Sequence, residues 1–175
     1  GLAVNGDTIL VAPGQYHENL DFIGKGVHVV SEGGTAVTSL IPADGALPTI
    51  TFDSGEPVGS ELAGFSITGG VTKHAILISN SSQPHIHHNV IRDHVSYAAN
   101  AAAIGSYNSN PVIEYNLFIH TRSLGGIGVF SGGGSIVNNT FHDNSRGYWS
   151  QGVGVIARNN VVTSSVDFGI GDDGF

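Results

Sequence analysis

One repeated pattern, an Asn with an apolar residue three positions before it and another two positions after it, constrains the fold of this 175-residue chain most. Four segments carry the pattern, and their Asn residues are 27, 23 and 21 residues apart. The segments are Pro84–Ile91, Pro111–Phe118, Gly134–Phe141 and Val155–Val162. Leu62–Ile67 fits the same frame with Phe65 in the Asn place. Such units must stack on one another, because one unit alone cannot bury its apolar side chains.

Each repeat is predicted to contain three short strands. Runs of three to five residues alternate apolar with polar positions, and Gly, Asn and Ser interrupt them as turns would. A shorter apolar strand precedes each Asn segment, at Ile50–Phe52, Ile76–Ile78, Ala102–Ile104 and Ile127–Val129. Three strands in 21 to 27 residues predict one coil of an all-β parallel β-helix, with equivalent strands about 4.8 Å apart. We therefore expect a solenoid of about six coils that forms a single domain over residues 1–175.

Stacked coils place equivalent side chains in columns. The inward columns predicted for the shorter strand are Ile50, Ile76, Ala102 and Ile127, followed by Phe52, Ile78, Ile104 and Val129. The Asn column comprises Asn89, Asn116, Asn139 and Asn160. An amide can donate to one rung and accept from the next, so we interpret this column as structural and assign it no catalytic role. Residues 35–48 and 53–60 are predicted to be loops outside the core.

The charge balance limits the classes of ligand. The chain has 14 acidic and 6 basic residues, a formal charge of −8, and no cluster of Lys or Arg, so it lacks the basic surface that nucleic acids and anionic membranes require. No 18-residue apolar run predicts a membrane span. The chain has no Cys, which excludes disulfides and thiolate metal sites. An acidic polysaccharide remains a candidate partner if the few cations, or a metal ion, are concentrated in one groove.

The opening segment Gly6–Leu20, whose sequence is GDTILVAPGQYHENL, together with the repeated Asn units, resembles the right-handed parallel β-helix proteins of the pectate-lyase-like superfamily. The resemblance covers essentially the whole chain and implies a right-handed helix. It also implies an extracellular carbohydrate-active or carbohydrate-binding module, similar to the lyases, hydrolases and epimerases that act on acidic polysaccharides. The same superfamily includes adhesins and tailspikes, so the fold alone does not choose a function.

Both ends of the chain depart from the superfamily pattern. An amphipathic helix usually precedes the first strand, and here only a few residues stand before it. No signal peptide is present, so secretion is inferred for a chain trimmed from a longer one. Uncapped coils expose unpaired strand edges. The alternative function is therefore a non-catalytic structural or adhesive β-helix that stacks end to end or docks on further coils.

A polar row is predicted four residues after each Asn, at Asp93, His120, Asp143 and Ser164. Two carboxylates beside one imidazole would raise the pKa of His120. In a lyase, Arg122 or a bound calcium ion would neutralise the substrate carboxylate, and an imidazole of the row would remove the adjacent proton. His94 and His142 extend the row sideways as candidate substrate-binding residues. The alternative interpretation is a set of opposite charges stacked on a solvated turn.

Two further sets of residues are candidate binding groups. His85 and His87 share one face of a strand, and Glu114 is predicted on the next rung, which could supply three ligands to zinc or a similar ion. The alternative is a surface His pair without a metal. Aromatic rings that could stack on sugars are Tyr107, Phe130 and Trp149, in or just after the shorter strand, where the alternative is turn packing.

Overall fold

The computed structural model describes residues 3–71, 74–122, 126–129 and 131–165, and the backbone alone of 170–172. The strands, in chain order, are β1 (Thr8–Val11), β2 (Gly14–His17), β3 (Leu20–Asp21), β4 (His28–Ser31), β5 (Thr38–Ile41), β6 (Ile50–Phe52), β7 (Glu61–Ala63), β8 (Ser66–Thr68), β9 (His74–Ile78), β10 (His85–His87), β11 (Val90–Arg92), β12 (Ala102–Ser106), β13 (Val112–Glu114), β14 (Leu117–Ile119), β15 (Ile127–Val129), β16 (Gly134–Val137), β17 (Thr140–His142), β18 (Tyr148–Ser150), β19 (Val155–Arg158), β20 (Val161–Thr163) and β21 (Ile170–Asp172). Within these ranges we find no helix that is long and apolar enough to cross a membrane.

The strands form three parallel sheets of seven strands each, and every third strand belongs to the same sheet. Sheet A runs from β1 to β19, sheet B from β2 to β20, and sheet C from β3 to β21. Each coil therefore contributes one strand to each sheet, as the repeats predict. The all-β parallel β-helix of about six turns is confirmed.

The core is a set of inward columns. In sheet B the rings of Phe118 and Phe141 stack with centroids 4.8 Å apart. The innermost residues of the three sheets are almost completely buried: Val29, Leu62, Ile86, Ile113 and Ile136 in sheet A, Leu40, Ile67, Ile91, Phe118 and Phe141 in sheet B, and Ile50, Ile76, Ile104, Ile127 and Tyr148 in sheet C. Burial of these columns removes apolar surface from water. Each Å² of buried apolar surface contributes about 25 cal/mol of stabilising free energy, which is the main contribution to the stability of the coils.

The predicted Asn column is present at the turn between sheets A and B. The side-chain oxygen of Asn116 accepts from the Asn89 backbone N–H at 3.0 Å, and that of Asn139 accepts from the Asn116 N–H at 3.0 Å. The Nδ2 group of Asn116 donates to the Ile86 carbonyl at 2.9 Å. Phe65 takes the Asn place as predicted, since its N–H donates to Asn89 Oδ1 at 3.0 Å. The ladder thus satisfies backbone groups that the turn would otherwise leave buried and unpaired.

Two predictions about strands are wrong. Ile104, not Ala102, pairs with Ile76 and Ile127, so the β12 register differs by two residues from the predicted columns. A shift of two residues keeps the same side chains inward, so the alternation cannot detect it. The segment 35–48, predicted as a loop, contains β5, and Leu40 lies in the core.

A buried carboxylate connects three coils at the turn between sheets C and A. Glu56 is completely buried and accepts hydrogen bonds from the Gly24 N–H at 2.8 Å, the Ser54 N–H at 3.1 Å and the Ser82 hydroxyl at 2.6 Å. Ser54 lies in the same turn as Glu56, whereas Gly24 and Ser82 lie in the coils on either side, so one side chain links three successive turns. Because a buried carboxyl group needs hydrogen-bond partners, and those of Glu56 are all groups of the turns themselves, we assign Glu56 a structural role.

Candidate functional site

The polar row predicted after each Asn lies at the turn where sheet B ends. Asp93 follows β11, His120 follows β14, and Asp143 follows β17. All three residues have positive φ, at 56°, 56° and 49°. Asp and His tolerate this left-handed conformation better than most side chains, which explains part of the residue choice. Because successive coils repeat the turn, the three side chains project as one row along the helix axis.

The side chains of this row contact one another and two arginines. His120 Nδ1 lies 3.3 Å from Asp93 Oδ1, and His120 Nε2 lies 3.4 Å from Asp143 Oδ2. Arg92 donates to Asp93 Oδ2 at 2.9 Å, and Arg122 donates to Asp143 Oδ1 at 3.0 Å. The predicted sandwich of one imidazole between two carboxylates is therefore present. We call these five residues the charged ladder.

The charged ladder faces solvent. Its side chains retain 37% to 50% of their full exposure. Exposed ion pairs such as these contribute only about 0 to 1 kcal/mol to stability. The row is thus accessible to a ligand, and we expect it to contribute little to the stability of the fold.

The predicted flanking residues of the row differ in position. His142 is exposed at the end of β17, and its Nδ1 lies 2.9 Å from the Thr163 hydroxyl. His94 is completely buried, with its ring packed close to Gly69, so the prediction that it extends the surface row is wrong. The alternation of the strands could not reveal this, because His94 follows β11 in an irregular segment.

Two of the predicted aromatic platforms, Trp149 and Tyr107, lie in or just after strands of sheet C. Trp149 in β18 is only 7% exposed, which contradicts its assignment to a sugar-stacking surface. Tyr107 is partly buried, and its hydroxyl lies 2.8 Å from His74 Nε2. Phe130 lies outside the described residues.

The predicted metal ligands belong to a larger cluster on the outward face of sheet A. His85 Nε2 contacts Glu114 Oε1 at 2.9 Å, whereas His87 Nε2 contacts Glu61 Oε1 at 3.0 Å. His87 and Glu114 are Cα partners, but their side chains diverge toward different neighbours. Within the described ranges no three His, Asp or Glu residues are grouped so that they could hold a metal ion. His85, His87 and Glu114 therefore do not form the predicted ligand set.

Three members of this cluster, Glu61, His28 and His88, were not identified from the sequence. Glu61 also contacts His28 Nδ1, so its carboxylate bridges imidazoles from two other strands. The repeat aligns Leu62 with Ile86 and therefore places Glu61 one rung from His85. This alignment would have identified Glu61 as a neighbour of the histidines. His87 extends the contacts to His88, with their Nδ1 atoms 2.8 Å apart.

Burial and hydrogen bonding shift two pKa values in this cluster. Burial lowers the pKa of His87, and the neighbouring His85 lowers it further, against the opposing effect of Glu61. Burial alone would raise the pKa of Glu61, but hydrogen bonds from His28 and His87 hold it below its ordinary value. Both shifts favour a neutral His87 beside an ionised Glu61 near neutral pH.

Comparison with protein families identifies one match. The family model described as the right-handed β-helix region matches residues 53–173. Neither the curated proteins nor the solved structures gave a significant match. The match covers more than half of the chain and spans the coils that carry the Asn column and the charged ladder. The chain therefore belongs to the right-handed β-helix family.

Proposed function

We propose that the protein is an extracellular carbohydrate-binding β-helix module that holds acidic polysaccharide on the charged ladder. The observation that carries this proposal is the exposed row along the helix axis that Arg92 and Arg122 flank. Rungs about 4.8 Å apart repeat polar groups along one line, which suits an extended polymer. The extracellular location follows the superfamily that the sequence resembles.

The two arginines supply the groups that an acidic sugar needs. A guanidinium carries five N–H donors in a planar fork that matches a carboxylate. Arg92 uses two of them, on Ser66 Oγ and Asp93, and Arg122 uses two on the carbonyl and carboxylate of Asp143. The remaining donors of these half-exposed side chains are available to a uronate carboxylate.

The contacts of His120 favour binding over catalysis. Both ring nitrogens face carboxylate oxygens, at 3.3 and 3.4 Å, so neither is open to a proton of the substrate in this arrangement. A general base needs a nitrogen within hydrogen-bond reach of that proton. We therefore place elimination chemistry second, as an activity that would require His120 to leave this arrangement.

The binding test uses charge variants of opposite sign. We expect Arg122→Gln to weaken binding to polygalacturonate about tenfold, because it removes a charge-assisted hydrogen bond. Asp143→Asn should strengthen binding, since it releases Arg122 from its ion pair. Arg158→Gln is the matched control, because Arg158 is exposed on sheet A and its loss changes the net charge equally. Calorimetry gives the affinities, and equal losses in the Arg122 and Arg158 variants would refute the ladder as the site.

A second measurement tests elimination directly. The absorbance of unsaturated uronate ends is followed on pectate, alginate and chondroitin, first with calcium and then with a chelator. We expect no rise, in agreement with a binding role. A rise abolished by His120→Ala would establish a lyase at the same row, and loss with chelator would identify a calcium requirement.

The second candidate function is end-to-end association. In the first described coil the inward side chain of Ile9 is 40% exposed. It borders an apolar opening of about 210 Å³ that Tyr16, Leu40 and Phe65 also line. A second copy stacked on this coil would cover the apolar side chains. Sedimentation at increasing concentration tests this role, and a strictly monomeric protein would exclude it.

A further inference from the structure

A groove runs along the corner where the chain turns from sheet C into sheet A. Its floor is a straight row made by the first residues of β4, β7, β10 and β13, which are His28, Glu61, His85 and Val112. These four residues are register partners in successive coils, so the row extends about 14 Å along the axis. The groove encloses about 470 Å³, within the roughly 300 to 1,000 Å³ of small-molecule sites.

The walls of the groove add amide and aliphatic groups. Gln83 and Asn110 come from the turns that precede β10 and β13, and Val58 comes from the turn that precedes β7. Val58 is 79% exposed and Val112 is 38% exposed, so apolar carbon atoms are accessible beside the polar floor. The groove therefore combines planar polar groups with small apolar surfaces.

The hydrogen bonds of the floor fix which imidazole nitrogens remain available. Glu61 accepts from His28 Nδ1–H, and Glu114 accepts from His85 Nε2–H, as assigned from the hydrogen-bond network. These contacts occupy Nδ1 of His28 and Nε2 of His85, so the other ring nitrogen of each imidazole is not engaged by a carboxylate. With the Gln83 amide, the floor offers both donors and acceptors to hydroxyl groups.

The charge of the groove selects a neutral ligand. No Lys or Arg is among the residues that line it in the described part of the chain, so an anion would meet no counter-charge. The one lining carboxylate, Glu61, is already bridged by His28 and His87, which leaves little demand for a cation. We propose that this groove binds a neutral oligosaccharide, with hydroxyls on the imidazole and amide groups and C–H faces on Val58 and Val112.

The experiment titrates the whole chain with cellohexaose, xylohexaose and mannohexaose, and with hexagalacturonate as the acidic comparison. Calorimetry measures affinity, and amide chemical shifts locate the site. We expect at least one neutral hexasaccharide to bind and to shift residues of β7, β10 and β13. Gln83→Ala should weaken it about fivefold, the equivalent of roughly one hydrogen bond.

Two variants separate a blocked site from a misfolded protein. Val112→Trp places a large ring in the groove and should abolish binding while the melting temperature stays near that of the parent. Gln15→Ala removes an exposed amide from β2 and should have no effect. Arg122→Gln should leave neutral-sugar binding unchanged, so the groove and the charged ladder are tested independently. Failure of all three neutral probes, or equal binding by the Gln83 and Gln15 variants, would overturn the proposal.

Discussion

Two rows of turn residues border sheet B, and they use the same geometry for different purposes. At one border, the residue before each Asn has positive φ, as in Tyr115, and Asn116 points inward and is buried. At the other border, His120 also has positive φ, but its side chain remains half exposed. The buried row satisfies backbone groups, whereas the exposed row pairs charges in water. We therefore expect repeated rungs to stabilise the fold chiefly where water is excluded.

The largest expected effect is the loss of one rung of the buried row. Asn116→Ala removes the acceptor of the Asn89 N–H and one donor to the Ile86 carbonyl, and a buried group left without a partner costs about 1 to 3 kcal/mol. We expect the free energy of unfolding to fall by about 3 kcal/mol or more in urea denaturation. Gln15→Ala, on the exposed face of β2, is the control and should change it by less than about 0.5 kcal/mol.

The next-largest expected effect concerns the buried carboxyl group of Glu56, which we compare with the exposed one of Asp143. Glu56→Ala removes the acceptor for Gly24, Ser54 and Ser82 inside the protein, and we expect a loss of about 2 to 4 kcal/mol. Glu56→Gln keeps the volume and one oxygen, so it should lose less. Asp143→Asn changes an exposed carboxylate in the same way and should leave the urea midpoint almost unchanged. Similar losses at both positions would contradict the distinction between buried and exposed charge.

Acid should weaken the histidine cluster on sheet A. The pKa of His87 is lowered by its burial and by His85, so the unfolded chain takes up a proton at this position before the folded chain does. Stability therefore falls as the pH drops below about 6.5, the ordinary pKa of His. Glu61, whose pKa is held down by His28 and His87, adds a further loss at lower pH, as it becomes protonated in the folded state.

The measurement is the melting temperature between pH 7.5 and pH 5. His87→Gln should flatten the decline that begins near pH 6.5, and His17→Gln, an exposed residue on β2, should not. An unchanged decline in the His87 variant would show that other groups govern the acid response.

The smallest expected effect is on the exposed row itself. His120→Ala breaks contacts with Asp93 and Asp143, yet we expect the free energy of unfolding to change by less than about 1 kcal/mol, because exposed pairs are screened by water and salt. Urea denaturation at low and high salt measures it. A loss comparable to that of Asn116→Ala would mean that the charged ladder belongs to the structural framework.

Part of the candidate site could be predicted because stacking converts sequence position into a column. Asp93, His120 and Asp143 each follow an Asn by four residues, and the structure brings them together with Arg122 as expected. His94 stands one position further along, five residues after its Asn, where the side chain is completely buried, as are those of Thr121 and Asn144 in the next two coils. A column can be extrapolated only as far as successive coils have the same shape.

The sequence by itself determined the coil, the inward columns and the Asn ladder, because a period of 21 to 27 residues with strand alternation permits few other ways to bury so many apolar side chains. Tertiary structure alone decided the β12 register, the burial of Trp149 and the bridge from Glu61 to His28 and His87. These features depend on how loops of unequal length pack and on which neighbour a side chain turns toward. Periodicity fixes the face on which a side chain lies, and packing fixes its partner.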